Sequence, residues 1–591
     1  MRTVVCSVLI AWAGWFVYAP VLHGNWLWDD DRYITQNLQI SGQDGLAKIW
    51  LEPVDVNYFP VTSTVQWVQW RMWKDHTFGY HVTNVALHVV SALLLWRLLS
   101  RIGVRCAWLG GLLWVVHPLA VESVAWISEL KNTLSLPFLL LAAIAFVEFD
   151  DGRGTAFPRR PVWYALSLGF FILAMLSKSL VVMFPAALLL YCGWKRGKIT
   201  AADVRTSAPF FAVSLVLGVV TLVFEYKAIG AGGAALGGPL SRLACAGLAI
   251  AFYVWKTVLP FGLLPIYPRW TVNPPTAAEF APWLVLGALL WLFWQKRATW
   301  GRHALLGAGF FLLNLAPVLG LVPMAYQRIS WVADHFAYTA LVGAVGLAAA
   351  GMGMLQSGLF RGDSRPILAG AATLCALLAV QSRSYAGIYK DEKTLWTFTL
   401  QHNPDAWMAH VNLGVELMKE GDAPAALGQF TEAVRLDPAS PEAHTNRGIA
   451  LANLNRLPEA VSEAEEAVRL APDFGPGRAK LGEIRVRAAD AFFNQANALA
   501  QSSRWDEAAA QYERALELRP DFPEAQANLG NALFSLHRLP EAVEHYRAAL
   551  RLKADYADAH YNLGIALQAL GQTEDAASQF EQAGRPRPES P

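Results

Sequence analysis

Three consecutive carboxylates, Asp29, Asp30 and Asp31, follow an uncharged apolar stretch, VLIAWAGWFVYAPVLHGN. Charge so close to hydrocarbon is costly, so it either sits in headgroup water or serves chemistry. Two later segments have the same character. HPLAVESVAWISELKN carries His117, Glu122, Glu129, Lys131 and Asn132, and YQRISWVADHFAYTAL carries Arg328, Asp334, His335 and Tyr338. Lys178 stands in LSKS at the end of another apolar run. In YHVTNVALHVV, His81, Asn84 and His88 fall on one helical face, which should turn to the interior of a bundle and not to lipid. Such a set fits one kind of chemistry. A carboxylate takes the proton from an acceptor hydroxyl. Cations stabilise a phosphate as it leaves. Beside apolar spans able to hold a lipid tail, the set suits transfer of a group from a lipid-phosphate carrier. Each part alone also has a plainer use: the acids as solvated loop charge, the His/Asn stripe as a helix–helix hydrogen-bond seam, the lysines as snorkelling side chains. No Cys or close His partner accompanies the acids at a metal-ligand spacing, so no metal and no cofactor is expected.

The elements that must hold these residues are membrane helices. The chain has 591 residues, 54% of them hydrophobic, and a mean hydropathy of +0.29. That is too apolar for an ordinary soluble protein. The net charge of +1 offers no general attraction for nucleic acid. The five cysteines, Cys6, Cys106, Cys192, Cys245 and Cys375, are scattered through apolar segments and form no metal or disulfide pattern. Beyond about residue 390 only Trp396, Trp407 and Trp505 remain of the tryptophans; the rest fit interfacial aromatic belts. Bulky residues stand where a signal peptide would be cleaved, so the first apolar run reads as a retained helix.

Twelve apolar runs, from about 4–22 to about 366–382, predict a polytopic all-α bundle of 11–12 spans over residues 1–382. The basic groups Arg97/Arg101/Arg105, Arg153/Arg159/Arg160, Lys195/Arg196/Lys198, Lys296/Arg297/Arg302 and Arg361/Arg365 belong in the cytoplasm by the positive-inside rule. Asp29 and Glu122 then face outward. Parity leaves one run, 240–259 being the weakest, that does not fully cross.

From residue 383 the composition changes and a period of 34 appears, with Gly414, Gly448 and Gly482 in one register and Ala496, Gly530 and Gly564 in another. This is the tetratricopeptide period, a pair of helices per unit. Gly482 to Ala496 is a step of only 14, so one unit has lost a helix. Residues 383–591 are expected to form an α-solenoid of about five full repeats and one truncated repeat.

In this order, WLWDDDRYITQN, YHVTNVALHVVSALLLW, HPLAVESVAWISELKNTLS, LSKSLVVMFPAALLL, YPRW, VADHFAYTALVG and HNPDAWMAHVNLG resemble the bacterial relatives of the transmembrane and tetratricopeptide-repeat-containing protein O-mannosyltransferases, across nearly the whole chain. The resemblance implies a C-type glycosyltransferase fold. It also implies metal-independent, inverting transfer of mannose or another hexose from a polyprenyl-phosphate carrier to Ser or Thr of a protein bound by the repeats. On that resemblance Asp29 is the general base, Asp30 its positioning partner with Asp31 as substitute, and Glu122 a support for base or acceptor. His81, His88, His117, Lys131, Lys178, Arg328, Asp334, His335 and Tyr338 are candidates for binding substrate. Animal members tend to have Arg where His335 stands, and Arg328 is the nearby compensating cation. The expected place is a bacterial cytoplasmic membrane, with site and repeats on the outer side. The competing reading is a non-catalytic membrane anchor whose repeats recruit partners.

Overall fold

The apolar runs form helices because a backbone in hydrocarbon must satisfy its own hydrogen bonds. A computed structural model describes residues 2–52, 58–152, 160–229 and 237–587. Arg153 and Arg159 of the basic loops lie outside the described residues. Seven described helices are long and apolar enough to cross a bilayer: Thr3–Val21, Phe78–Arg101, Ile127–Asp151, Arg160–Ser177, Ala201–Tyr226, Ala277–Gln295 and Arg365–Lys390. An eighth is broken, Ala107–Val116 and Pro118–Ala125 meeting at 58°. The remaining runs give helices that are shorter or less apolar, including Pro239–Val258, Gly301–Leu315 and Leu341–Ser357. Eleven or twelve crossings would need these as well.

Ile127–Asp151 is the most enclosed span, with 72% of its apolar window buried, whereas Ala277–Gln295 has none buried. The first therefore lies at the centre of the bundle and the second on its periphery. At one end of the bundle, charges from different basic loops meet. Arg101 pairs with Glu148, Lys195 with Asp150 and Asp151 at 2.8 and 2.6 Å, and Arg196 with Asp150 and Asp203 at 2.9 and 2.6 Å. Two of the loops that the charge pattern assigns to the cytoplasm, those of Arg101 and of Lys195/Arg196, thus share an end.

The chain divides into two compact units, Met1–Ala409 and His410–Pro591. The composition changes earlier, at 382/383, but helix Glu392–His402 belongs to the first unit. Its Asp391 caps its own start by accepting the Thr394 amide at 2.7 Å, and its Trp396 is fully buried. The second unit is built of helix pairs such as Pro441–Asn453 with Leu457–Leu470, and Pro523–Ser535 with Leu539–Leu552. The repeating small residue has a steric reason. A Cβ on Gly530 would come 2.7 Å from the Tyr546 ring, and one on Gly564 2.7 Å from Phe580. Where the sequence step drops to 14, the first helices of two successive repeats run on as one 27-residue helix, Gly475–Gln501. Its upstream part carries Ile484 and Ala488 into one apolar cluster, and its downstream part carries Ala496 into another.

Candidate active site

The site begins where the broken span turns. Pro118 cannot continue the helix from below, and His117 caps the break. Its Nε2 lies 3.1 Å from the Thr257 carbonyl, and its Nδ1 accepts the Leu119 amide at 3.2 Å, so the Nε2–H tautomer satisfies both. Three short turns follow, Pro118–Ala120, Val121–Ala125 and Ile127–Glu129, before the long span resumes at Leu130. Turns this short leave backbone groups unpaired inside a buried segment, and side chains must supply the partners. Asn84 of Phe78–Arg101 donates to the carbonyls of Trp126 and Ile127 at 3.1 and 3.4 Å and accepts the Thr133 hydroxyl at 3.0 Å.

The acidic loop supplies the other partner. Asp30 is fully buried, and its two oxygens accept the amides of Leu27 at 2.9 Å and Ser128 at 2.8 Å. Burial pushes its pKa up to about 7; the two amides oppose that rise, and the neighbouring Asp29 adds to it. Asp31 opens a π-helical turn, Asp31–Thr35, and accepts the Thr35 hydroxyl at 2.8 Å. Asp29 is half-buried and accepts the Tyr33 amide on its carbonyl at 2.9 Å. Just before it, Trp28 has φ +46°, a conformation costing a bulky residue roughly 1–2 kcal/mol. The Trp28 indole stacks on Trp126 at 5.1 Å and 6°.

Behind this loop lies a buried charge cluster. Glu129 pairs with Lys131 at 2.8 Å and Lys178 at 3.3 Å and accepts Asn132 Nδ2 at 2.5 Å. The same Asn132 nitrogen lies 3.0 Å from Ser123 Oγ and 3.2 Å from the His335 carbonyl. Glu122, 1% exposed, accepts the His335 amide at 2.8 Å, with its other oxygen 3.1 Å from His335 Nδ1. Lys131 Nζ is 5.4 Å from the centre of the Tyr33 ring, and Asp29 is among the charges acting on it. Burial pulls the Lys178 ammonium down to about 8 against the opposing pull of Glu129. Thus Asp29, Asp30, Glu122, Lys131, Lys178 and His335, drawn from four separate segments, surround one region.

Other candidates lie elsewhere. Tyr338 turns away from His335, its hydroxyl 2.9 Å from His88 Nδ1, while His88 Nε2 faces the Val115 carbonyl at 3.3 Å. This pair forms a helix–helix seam with Trp114 and Tyr18. His81 is fully buried against Gly24. Asp334 is fully buried too, but it faces two phenols, Tyr267 at 2.7 Å and Tyr385 at 3.1 Å. Burial and the nearby Glu122 push its carboxyl well above the usual range. Arg328 is exposed and takes no part in the buried cluster, so the cations beside His335 are Lys131 and Lys178. Glu129 and Asn132 prove to be the hub. The sequence marks both as polar residues in an apolar segment, but assigns neither a role at the site.

Comparison with known proteins follows the two units. Two tetratricopeptide-repeat models match the C-terminal unit, one described as "TPR repeat" at 496–536 and 530–571, the other as "Tetratricopeptide repeat" at 411–473. Among solved structures with this likeness is YrrB, a TPR protein with an unusual peptide-binding site. It is 22% identical with a TM-score of 0.19, the match covering 32% of this chain and 90% of that one. The protein O-mannosyl-transferase F38B6.6 of Caenorhabditis elegans is 29% identical over 146 residues, 22% of this chain and 21% of its own length. The protein O-mannosyl-transferase TMTC4 of Mus musculus is 24% identical over 496 residues, 72% of this chain and 65% of its own. The chain thus spans less than two thirds of either relative. It is distantly similar, over most of its own length, to proteins of that name, and it carries tetratricopeptide repeats at its C-terminal end.

Proposed function

We propose that the protein is a membrane glycosyltransferase that moves a hexose, mannose or a relative of it, from a polyprenyl-phosphate carrier to Ser or Thr hydroxyls of a protein. The observation that carries this reading is a pair of lysines, half-buried Lys131 and buried Lys178, bridged by the buried Glu129 beside the Asp29 loop. Burying charges costs several kcal/mol per ion, which a mere anchor has no use for. Two cations behind a candidate base are what phosphate departure from a sugar calls for. The similarity to proteins named O-mannosyl-transferases supports the same reading.

In the proposed step Asp29 takes the proton of the acceptor hydroxyl. The hydroxyl oxygen bonds to the anomeric carbon from the side opposite the phosphate, and the carbon–phosphate oxygen bond breaks. Polyprenyl phosphate leaves toward Lys131 and Lys178. Asp30 holds the loop, and Glu122 fixes His335 against the phosphate end. No metal enters the step. The pattern of basic loops supports a site on the outer side of a bacterial cytoplasmic membrane. The repeats, as the part that binds acceptor protein, must be exposed to the same compartment.

The test is purified full-length protein in lipid, given radiolabelled polyprenyl-phosphate hexoses and a periplasmic protein extract, with and without EDTA. Label should enter protein in both. No incorporation from any hexose donor would sink the reading; loss with EDTA, restored by a divalent ion, would replace the metal-independent step.

A further inference from the structure

The residue before the candidate base is held in an unusual way. Trp28 has φ +46°, a region a bulky L-residue adopts only when its surroundings impose it. The constraint comes from far along the chain. The Trp28 amide donates to Glu392 Oε1 at 2.8 Å, across 364 positions of sequence. The other oxygen of Glu392 accepts the Trp396 indole N–H at 3.3 Å. The Trp28 ring lies between two indoles, stacked on Trp126 and edge-on to Trp396, each at 5.1 Å. Two further bonds pin the same stretch: the Asn25 amide donates to the Lys390 carbonyl at 2.9 Å, and Trp126 Nε1 donates to the Leu27 carbonyl at 3.3 Å. Trp396 is fully buried and held on the first turns of helix Glu392–His402.

Both Glu392 oxygens already accept hydrogen bonds, and the indoles carry no acid or base for transfer. Their effect is geometric: they fix the backbone of the residue that precedes Asp29, and so the direction in which its carboxylate leaves the chain. Asp30 alone cannot do this. Its bonds to Leu27 and Ser128 close the turn around Trp28 and Asp29 and tie it to the broken span, but they give the Trp28 amide no acceptor. The strained residue needs an amide acceptor at its own position, and Glu392 is that acceptor.

We propose that Glu392 and Trp396 are positioning residues, which hold Asp29 in its working orientation through the Trp28 amide and ring. This rests on the reading of Asp29 as the general base. Misplacing a catalytic group by about 1 Å can lower turnover about 10²-fold. Losing the latch should therefore lower kcat and leave the KM for lipid donor nearly unchanged, since Lys131 and Lys178 do not depend on it.

The experiment compares full-length wild type, Glu392→Ala, Glu392→Gln, Trp28→Gly and Asp29→Asn in nanodiscs. Two quantities are read: hydrogen–deuterium exchange of peptides covering residues 24–32, and kcat and KM with labelled polyprenyl-phosphate hexose. Glu392→Ala should raise exchange in 24–32 while 78–101 stays protected, and should lower kcat about 10²-fold. Glu392→Gln keeps an acceptor for the Trp28 amide but offers an N–H to Trp396, so it should recover part of kcat. Trp28→Gly adopts the positive φ freely but lacks the ring, so exchange should rise and kcat fall there too. Unchanged exchange in Glu392→Ala overturns the latch itself. Raised exchange with wild-type kcat, while Asp29→Asn is dead, overturns the positioning role and leaves the base assignment standing. An active Asp29→Asn removes the base reading, and with it this proposal, whatever the exchange shows.

Discussion

Asp30 and Ser128 are 98 residues apart and joined by one hydrogen bond, 2.8 Å from the Ser128 amide to Oδ1. That bond ties the acidic loop to the turns that carry Glu122 and Glu129. The burial of Asp30, which the bond only partly offsets, makes stability depend on pH. Burial raises the Asp30 pKa from 3.8 to about 7, so the folded state holds a proton that the unfolded state has released over that window. The stability Asp30 contributes is fully present below 3.8 and is lost as pH rises through about 7. The thermal midpoint of wild type relative to Asp30→Asn should therefore be more favourable at pH 5 than at pH 8. A constant difference across that range would place the Asp30 pKa elsewhere.

Asp29→Asn should fold and insert normally and lose transfer by about 10²–10⁴-fold, the usual contribution of a general base. The check is single-turnover transfer on protein whose elution profile and thermal midpoint match wild type. Near-normal transfer would move the role to Glu122.

Lys178 gives a limb on the alkaline side. Its pKa is pulled down to about 8, so its charge, and with it the hold on phosphate, fades as pH rises through that value. In the free enzyme kcat/KM for donor should fall above about pH 8. Lys178→Arg should remove that fall, because guanidinium keeps its charge. Lys178→Met should cost about 1.5–3 kcal/mol of transition-state stabilisation, the scale of a hydrogen bond to a charged group. An identical alkaline limb in Lys178→Arg would assign the titration to another group.

Ending the chain after Ala409 should raise the amount of protein acceptor needed for half-maximal transfer and leave turnover of a short hydroxyl-bearing peptide little changed. The repeats would act by raising the local concentration of acceptor near Asp29. Equal losses on protein and peptide would mean that the repeats support the fold of the first unit instead.

Within the repeats, two glycines taken one from each register should respond oppositely to alanine. At Gly530 a Cβ would press on the buried Tyr546 ring at 2.7 Å, an overpacking that costs about 1–3 kcal/mol. Gly482 has nothing within 4 Å, because its repeat lacks the helix that would bring a ring against it. Gly482→Ala should stabilise, by up to about 1 kcal/mol of helix propensity. Urea unfolding of the two variants reads both signs.

What could be read from the sequence follows the range of the interactions. The repeats and apolar runs were legible because each is set by local period: 34 residues in one case, a bilayer's worth of apolar residues in the other. The acids, Glu122 and the two lysines stood out as charge in apolar surroundings. Their convergence was not written in any spacing. Glu129 meets Lys178 across 49 positions and Trp28 meets Glu392 across 364. Short motifs also misled about direction. Asp334, His335 and Tyr338 sit within five positions, yet the 3₁₀ turn Asp334–Phe336 sends them to the Tyr267/Tyr385 pair, to Glu122 and to His88 respectively. Glu129 stands out in the sequence as one acid of its segment, but its place between two lysines depends on Lys178, 49 positions away.

The fused helix Gly475–Gln501 turns a missing element into a corner. Ala488 faces the upstream apolar cluster and Ala496 the downstream one, and at 3.6 residues per turn those directions differ by about a quarter turn around one axis. The relative heading of the two clusters is therefore set by a count of residues along one rod. Inserting or deleting a residue between Ala488 and Ala496 would swing one cluster against the other by about 100°, like re-indexing a gear, with neither losing a side chain.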